Sequence, residues 1–333
     1  MNEAPRTALV TGATGFIGEA LVRKLLARGD AVRVLVRNRQ KLERLGLGID
    51  DVVEGDITNR EAVMRATDGV DVVYAIAGTF REAQLADRDY RAINVDAVGT
   101  LLEAAIANGV SRVVHCSTCG IHGSIDEGRP ADETHAIRPV GIYEETKAAG
   151  EQLAFELGRA DGVEVTAIRP TPVYGPGDTR LLKLFKLARR KPTILIGDGT
   201  AAYHLVYIDD LTEAFVLAGS RPGVAGQAFL IGGPEIPSLN DILQTLAALD
   251  GREKLDVVRV PAKPVWLAGW LCEAVCRPLG VSPPIYRRRV EFFINNRAYK
   301  IDKARELLGY EPKVGIRDGL QRTAEWYREQ RLL

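Results

Sequence analysis

Along the first half of the chain, short apolar runs alternate with stretches whose apolar residues recur every three or four positions. ALVTG, at 8–12, predicts a first strand, and 16–28 carries Ile17, Ala20, Leu21 and Leu25 at helical spacing before stopping at Gly29. AVRVLV (31–36), DVVEGD (51–56), VDVVYAIAG (70–78), SRVVHCS (111–117) and VEVTAIRP (163–170) read as strands two to six. The periodicity predicts a short helix at 59–67, one long helix at 89–108 and another at 143–157. Strands alternating with helices imply parallel pairing, because each helix carries the chain back across a sheet face. The expected class is α/β, with a doubly wound parallel sheet.

After Pro170 the regularity breaks. TPVYGPGD is a turn-rich loop, 181–190 a helix, YHLVYIDDL a strand running into a helix start, and GQAFLIGG another strand. Residues 261–277 are apolar and helical in tendency, PPIYRRR follows, and the tail IDKARELLGYEP…GLQRTAEWYREQ holds two helices. The expected division is a sheet domain over 1–170, with 206–231 returning to it. A smaller C-terminal α/β lobe, 171–205 plus 232–333, would bind substrate across a cleft.

Composition narrows the class. The 333 residues are 46% hydrophobic and 26% charged, with a formal net charge of zero. With no basic excess to neutralise a phosphate backbone, nucleic acid is not an expected partner. The first residues show no basic segment followed by an apolar one, and no apolar run reaches the ~18–20 residues of a spanning helix. A cytoplasmic protein with no integral membrane segment is expected. The pairs Cys116/Cys119 and Cys272/Cys276 invite a zinc reading, but they fall in strand-like and helical segments rather than on knuckle turns. Four reduced thiols and no metal are expected.

Gly12-x2-Gly15-x2-Gly18 directly follows the first strand and opens the first helix. The first glycine permits a tight turn, the second lets backbone approach a pyrophosphate, and the third allows close helix–strand packing. With Thr11, Phe16 and Ile17, this turn is the expected phosphate cradle of a dinucleotide, and the fold is of the Rossmann type. Asp56 and Ile57, after strand three, should lie under the adenine edge. Ala75, Ala77 and Gly78 should pass beside the middle of the cofactor.

Arg37 stands at the end of strand two, where an acidic residue would hold the adenosine ribose. An arginine attracts a 2′-phosphate and can stack on adenine, and Arg39 and Lys41 add charge nearby. NADP(H) is therefore favoured over NAD(H). The competing reading is a solvated basic loop.

Tyr143 and Lys147 are four apart on a predicted helix and share a face. An ammonium beside a phenol favours the phenolate, giving a general acid/base for a carbonyl or alcohol oxygen. Ser117 and Thr118 end strand five toward the same cleft, where a hydroxyl could hold the substrate oxygen.

TGATGFIG, the GDI after strand three, INVDAVGT, CSTCGIHG, YEETK and RPTPVYGPGD occur in that order, and the sequence resembles the extended short-chain dehydrogenase/reductases, the NAD-dependent epimerase/dehydratase family. The resemblance implies that Tyr143 is the catalytic acid/base, Lys147 its partner and Thr118, five positions before Gly123, the third member. It implies that Asn94 supports the ends of strands four and five, that Pro170 and Val173 line the nicotinamide, and that Lys147 also holds the ribose. It implies a homodimer built on the helices at 89–108 and 143–157.

Substrate is less determined. The strand AAYHLVYIDD lacks the arginine that sugar-nucleotide members usually carry, although Arg287, Arg288 or Arg289 could serve a diphosphate. The C-terminal layout is similar to sterol 3β-hydroxyl dehydrogenase-like members. Thr79, Cys119, His204 and Arg287 are the substrate-facing candidates. His115 is expected to be packed in its strand, and His122 and His135 could line the pocket. The stretch 265–275 could touch a membrane, but a pocket wall or core helix is the expected role. Three functions follow: an NADP(H)-preferring oxidoreductase for a small or sterol-like secondary alcohol or ketone, a nucleotide-sugar 4-epimerase with tightly held NAD, or a non-catalytic cofactor sensor. The intact Tyr/Lys pair disfavours the last.

Overall fold

The computed structural model describes residues 6–80, 85–126, 128–276, 281 and 287–333; residues 283–286 of the PPIYRRR stretch, and the side chains of Arg288 and Arg289, lie outside them. In chain order the sheet domain runs β1 (Thr7–Thr11), α1 (Phe16–Arg28), β2 (Ala31–Val36), α2 (Arg39–Glu43), β3 (Val52–Glu54), α3 (Arg60–Thr67) and β4 (Val72–Ala75). It continues with α4 (Asp87–Arg91), a π-turn at Ala92–Asp96, α5 (Ala97–Ala107), β5 (Arg112–Cys116), α6 (Ile142–Asp161) and β6 (Glu164–Pro170). Then follow β7 (Val173–Tyr174), α7 (Leu182–Ala188), β8 (Thr193–Ile196), β9 (Val206–Tyr207), α8 (Ile208–Ser220), β10 (Ala228–Ile231), α9 (Leu239–Leu249), β11 (Val257–Val260), α10 (Ala262–Cys276), α11 (Arg287–Ile294) and α12 (Ile316–Glu329).

Seven parallel strands form the main sheet in the order β10-β6-β5-β4-β1-β2-β3. The central strands are apolar throughout because both faces are covered. One face packs Val10, Val34, Tyr74 and Val114 against Leu21 and Leu25 of α1 and Leu211 and Phe215 of α8. The other packs Leu9, Leu35, Val73 and Val113 against Val63 of α3, Leu101 and Leu102 of α5 and Ala154 of α6. This is the doubly wound Rossmann-type sheet expected from the alternation. A third core joins α7, α9 and α12 through Leu184, Phe185, Leu243, Leu246, Leu320 and Tyr327.

The structure departs from the reading by period in four places. The long helix is interrupted by the π-turn at Ala92–Asp96. The basic segment after β2 is partly helical, with the Asn38 side chain accepting from the Lys41 N–H. β8 and β11 pair in parallel, although neither was legible as a strand, and α9 was missed despite a capping box at Ser238 and Asp241. Finally, α10 is neither pocket wall nor core. Within it only Gly269 and Glu273 are buried, while Leu267, Trp270, Leu271 and Val275 stand in the open.

Candidate active site

The three glycines of the first turn each have a distinct steric reason. Gly12 has φ +72°, and a Cβ there would lie 2.9 Å from the Ala77 backbone; a Cβ on Gly18 would lie 2.2 Å from the Gly12 carbonyl. On Gly15 it would meet only that carbonyl, at 3.3 Å, so this backbone is bare on its outer side. Gly15 is also the N-cap of α1 and offers no side-chain cap, so the helix presents its first N–H groups and dipole to an anion. Thr11 is buried, and its hydroxyl accepts from the Ala77 N–H at 3.1 Å, which ties the β4 turn to the cradle.

Arg37 lies just past β2 with its side chain 76% exposed, its guanidinium 3.9 Å from the Asp56 carboxylate. Burial raises the Asp56 pKa, but the N–H and hydroxyl of Thr58 and the charge of Arg37 outweigh it and hold the carboxyl below its ordinary value. Two residues of opposite sign thus sit together past the ends of β2 and β3. Ile57 is half-buried beside them.

The catalytic candidates come together on α6 and the end of β5. Lys147 is 4% exposed and donates to the Cys116 carbonyl at the end of β5. Burial pushes its pKa below the ordinary lysine value, opposed by Cys116 and by Glu151 one turn on. A Cβ on Gly78 would reach to 3.8 Å from the Lys147 ammonium, so bare backbone here leaves room beside the lysine. Tyr143 is half-buried one turn before Lys147, its ring edge-on to Phe80 at 5.0 Å. Thr118 caps the Cys119–His122 turn through its hydroxyl, which accepts from the Gly120 N–H.

Buried polar atoms at the carboxyl ends of β5 and β6 bear on whether a dinucleotide fits. Ser117 Oγ and Thr171 Oγ1 are both buried and lack a hydrogen-bond partner. Such orphans are costly unless something polar meets them. With the bare Gly15 cradle and the space over Gly78, they fit an extended cofactor lying across the strand ends, past Pro170 and Val173. His115 is likewise buried without partners, and burial, then Lys147, depress its pKa well below the usual histidine value.

Beneath the site, Glu151 and Arg169 form a buried ion pair, Nε to Oε2 3.0 Å, with the Arg169 Nη1 3.2 Å from His122 Nε2. His122 is therefore packed under the site rather than lining it, and its Nδ1 lies 3.0 Å from the His135 carbonyl. Thr79 is buried, with its backbone N–H and carbonyl both engaged by the Asn94 amide. Cys119 is buried against Tyr299, whose hydroxyl reaches its carbonyl at 3.5 Å.

Two sequence candidates do not reach the cleft. His204 is 1% exposed, with its Nε2 2.9 Å from the Gly233 carbonyl and its ring against Gly232, so it is a packing histidine. Arg287 donates to Glu273 through its backbone N–H at 2.8 Å and its Nε at 3.2 Å and lies over the Trp266 ring. It closes the α10–α11 pair instead of waiting for a diphosphate.

Conversely, sequence reasoning missed Arg180 and Phe80. Arg180 follows the GPGD loop; its Nε donates to the buried Asp178 at 2.8 Å. Its guanidinium lies 5.7 Å from the Phe16 ring and 5.0 Å from the Phe80 ring. A half-exposed cation therefore sits between the cofactor cradle and the ring that packs on Tyr143. The only hint was an arginine just after a turn-rich loop.

The model of the NAD-dependent epimerase/dehydratase family matches residues 8–232. The chain belongs to this family. Members use nicotinamide cofactors, and the match marks the protein as an enzyme of oxidoreductase, epimerase or dehydratase type. It is 31% identical over 66% of its length to the yeast (Saccharomyces cerevisiae) sterol-4-alpha-carboxylate 3-dehydrogenase, decarboxylating, covering 67% of that protein. It is 32% identical over 94% of its length to the 2-alkyl-3-oxoalkanoate reductase of Stenotrophomonas maltophilia, covering 97% of that protein. It thus spans only about two thirds of the sterol dehydrogenase, but nearly all of the reductase. Among solved structures, the dTDP-glucose 4,6-dehydratase DesIV of Streptomyces venezuelae, with NAD and TYD bound, superposes with TM-score 0.76 at 29% identity, covering 98% of each chain.

Proposed function

We propose that the protein is an NADP(H)-preferring oxidoreductase that interconverts the 3-hydroxy and 3-oxo forms of a largely apolar carboxylic acid. The observation that carries this reading is the Arg180 guanidinium held between Phe16 and Phe80, next to Tyr143. An anionic group anchored there would set a nearby carbonyl against the tyrosine. Two relatives with different skeletons share this chemistry in their names: a sterol 4-carboxylate oxidised at C3, and a 3-oxoalkanoate reduced at C3. In both, the reacting carbon is two bonds from the carboxylate carbon.

In this mechanism the Gly12–Gly18 turn would hold the pyrophosphate of the dinucleotide and Pro170 and Val173 would line its nicotinamide, which would supply or accept the hydride. Tyr143 gives its hydroxyl proton to the substrate oxygen in reduction and takes it back in oxidation. Lys147 lies one turn away and favours the phenolate. Thr118 fixes the substrate oxygen by a hydrogen bond. Arg180 binds the carboxylate, keeping its tie to Asp178, and Phe80 covers Tyr143 against water. The preference for NADP(H) is supported by Arg37, whose exposed guanidinium can meet a 2′-phosphate. We further propose that 171–205 and 232–333 act as the substrate lobe and that the protein is a cytoplasmic homodimer joined through α5 and α6. The partly exposed Ala148, Ala149, Leu153 and Phe155 of α6 support that interface.

The test is oxidation of 2-methyl-3-hydroxyalkanoates of increasing chain length with NADP+ and NAD+, beside their methyl esters and UDP-glucose. The acids should exceed the esters in kcat/KM by tenfold or more, with that preference lost in Arg180→Gln. If the acids do not react and UDP-glucose is epimerised, the reading is wrong and the protein is a sugar-nucleotide enzyme.

A further inference from the structure

α10 is apolar on both of its faces, and only one of them is covered. Its inward positions are Val265, Gly269, Cys272, Glu273 and Cys276, and the one acidic side chain among them is buried and paired with Arg287. Its outward positions follow the one-turn spacing of a single helix face: Trp266, Leu267, Trp270, Leu271, Ala274 and Val275. Trp270 is 45% exposed, Leu271 52% and Val275 61%. Fifteen residues therefore carry five of the fourteen exposed large hydrophobic side chains among the described residues. Scattered apolar side chains need no explanation, but a contiguous face of this kind marks an interaction surface.

Charge decides what covers it. The exposed charged side chains of β11 and α10 are Arg259 and Lys263, both basic; Asp256 stands exposed just before β11, and no acidic residue is exposed on the helix. In sequence, 257–294 holds six basic and two acidic residues in a chain of zero net charge. A second copy would bring the same sign of charge to the same rim. An anionic surface complements it. The helix is 15 residues long, and none of the described helices is long and apolar enough to cross a membrane. Tryptophan and leucine on one face with basic residues at the edge suit a helix lying in the headgroup layer.

We propose that α10 is a peripheral membrane-docking helix that inserts Trp266, Leu267, Trp270, Leu271 and Val275 into a bilayer carrying anionic lipid. The inference concerns where the protein works and stands whichever substrate the active site takes. The test is co-sedimentation of the full chain with phosphatidylcholine vesicles, with and without phosphatidylglycerol, using wild type and the Trp266→Ser/Trp270→Ser variant. Far-UV circular dichroism and thermal melts confirm the fold of both. Wild type should pellet with the anionic vesicles at least tenfold better than the variant, with binding reduced by salt. Its tryptophan emission should be quenched by brominated lipid; two of the three tryptophans lie on α10. If wild type stays in the supernatant with both vesicle types, the proposal is overturned. If it instead self-associates without vesicles and the variant does not, the face is an interface between copies and the proposal is equally overturned.

Discussion

The Asn94 amide, set in the π-turn between α4 and α5, donates at 3.1 Å to the hydroxyl of Thr146, which directly precedes Lys147 on α6. Its oxygen accepts from the Thr79 N–H at 3.0 Å and its nitrogen reaches the Thr79 carbonyl at 3.3 Å. One buried side chain thus locks α6 to the loop after β4. A Cβ on Gly150 would fall 2.0 Å from the Asn94 carbonyl, so α6 packs directly on the π-turn. A π-turn inserts an extra residue and re-aims the side chains around it. Here it delivers Asn94 to its partners.

Asn94→Ala should leave the buried Thr79 N–H and carbonyl without this partner, while the Thr146 hydroxyl keeps its bonds to the Ile142 and Tyr143 carbonyls, at a cost of about 1–3 kcal/mol in stability. It should also lower kcat at least tenfold, because Thr146 carries the Tyr143–Lys147 turn. Thermal melts and steady-state kinetics check both. A variant with wild-type kcat would show that the clamp is structural only.

Tyr143→Phe should reduce kcat by about 10²–10⁴-fold, the usual contribution of a positioned acid/base, while cofactor titration by fluorescence stays within a few-fold of wild type. An unaffected rate would remove Tyr143 from the mechanism.

Lys147 separates stability from function. Its folded-state pKa is depressed by burial, so the folded protein resists binding this proton more than the unfolded chain does. At neutral pH the buried charge therefore costs stability, and the cost is relieved as pH rises toward and past the ordinary lysine value. Lys147→Met should melt no lower than wild type at pH 7 yet lose turnover and cofactor affinity. A large drop in melting temperature would mean that its bond to the Cys116 carbonyl outweighs the burial of its charge.

The proposed preference for NADP(H) makes Arg37 and Asp56 the residues to test. Equilibrium binding of NADPH should exceed that of NADH by tenfold or more, about 1.4 kcal/mol, and Arg37→Asp should reverse the order. Equal affinities in the wild type would show that Asp56 occupies the guanidinium.

Burial of His115 should make the fold acid-sensitive. Its folded pKa lies well below the ordinary 6.5 because the ring is buried beside Lys147. Below about pH 6.5 the unfolded chain takes up a proton that the folded one refuses, so stability falls by about 1.4 kcal/mol per pH unit from this group. His204 and His122 are depressed in the same direction, also first by burial. Urea titrations between pH 7 and 5 should show a shallower pH slope for His115→Phe than for wild type. Identical slopes would mean that the acid loss comes from elsewhere.

The local pattern by itself determined the alternation of strands and helices, the parallel sheet it requires, the glycine turn and the one-turn spacing of Tyr143 and Lys147. These depend on periods and offsets within about a dozen residues, where backbone geometry leaves few choices. Chain folding decided the rest. β8 and β11, some sixty positions apart, are four residues each and pair in parallel only with each other; β11 carries no inside–outside alternation, with the adjacent Val258 and Arg259 both exposed. His204 is buried because Gly232 and Gly233, distant in sequence, leave room for its ring. Arg287 is committed to Glu273 because α11 folds back on α10, and Arg180 meets Phe16 and Phe80 because the loop after β7 crosses the glycine turn. The same composition that made 265–275 look like a core helix leaves it on the surface. An apolar stripe in sequence shows that something must cover it, and only the folded chain shows that, among the described residues, nothing does.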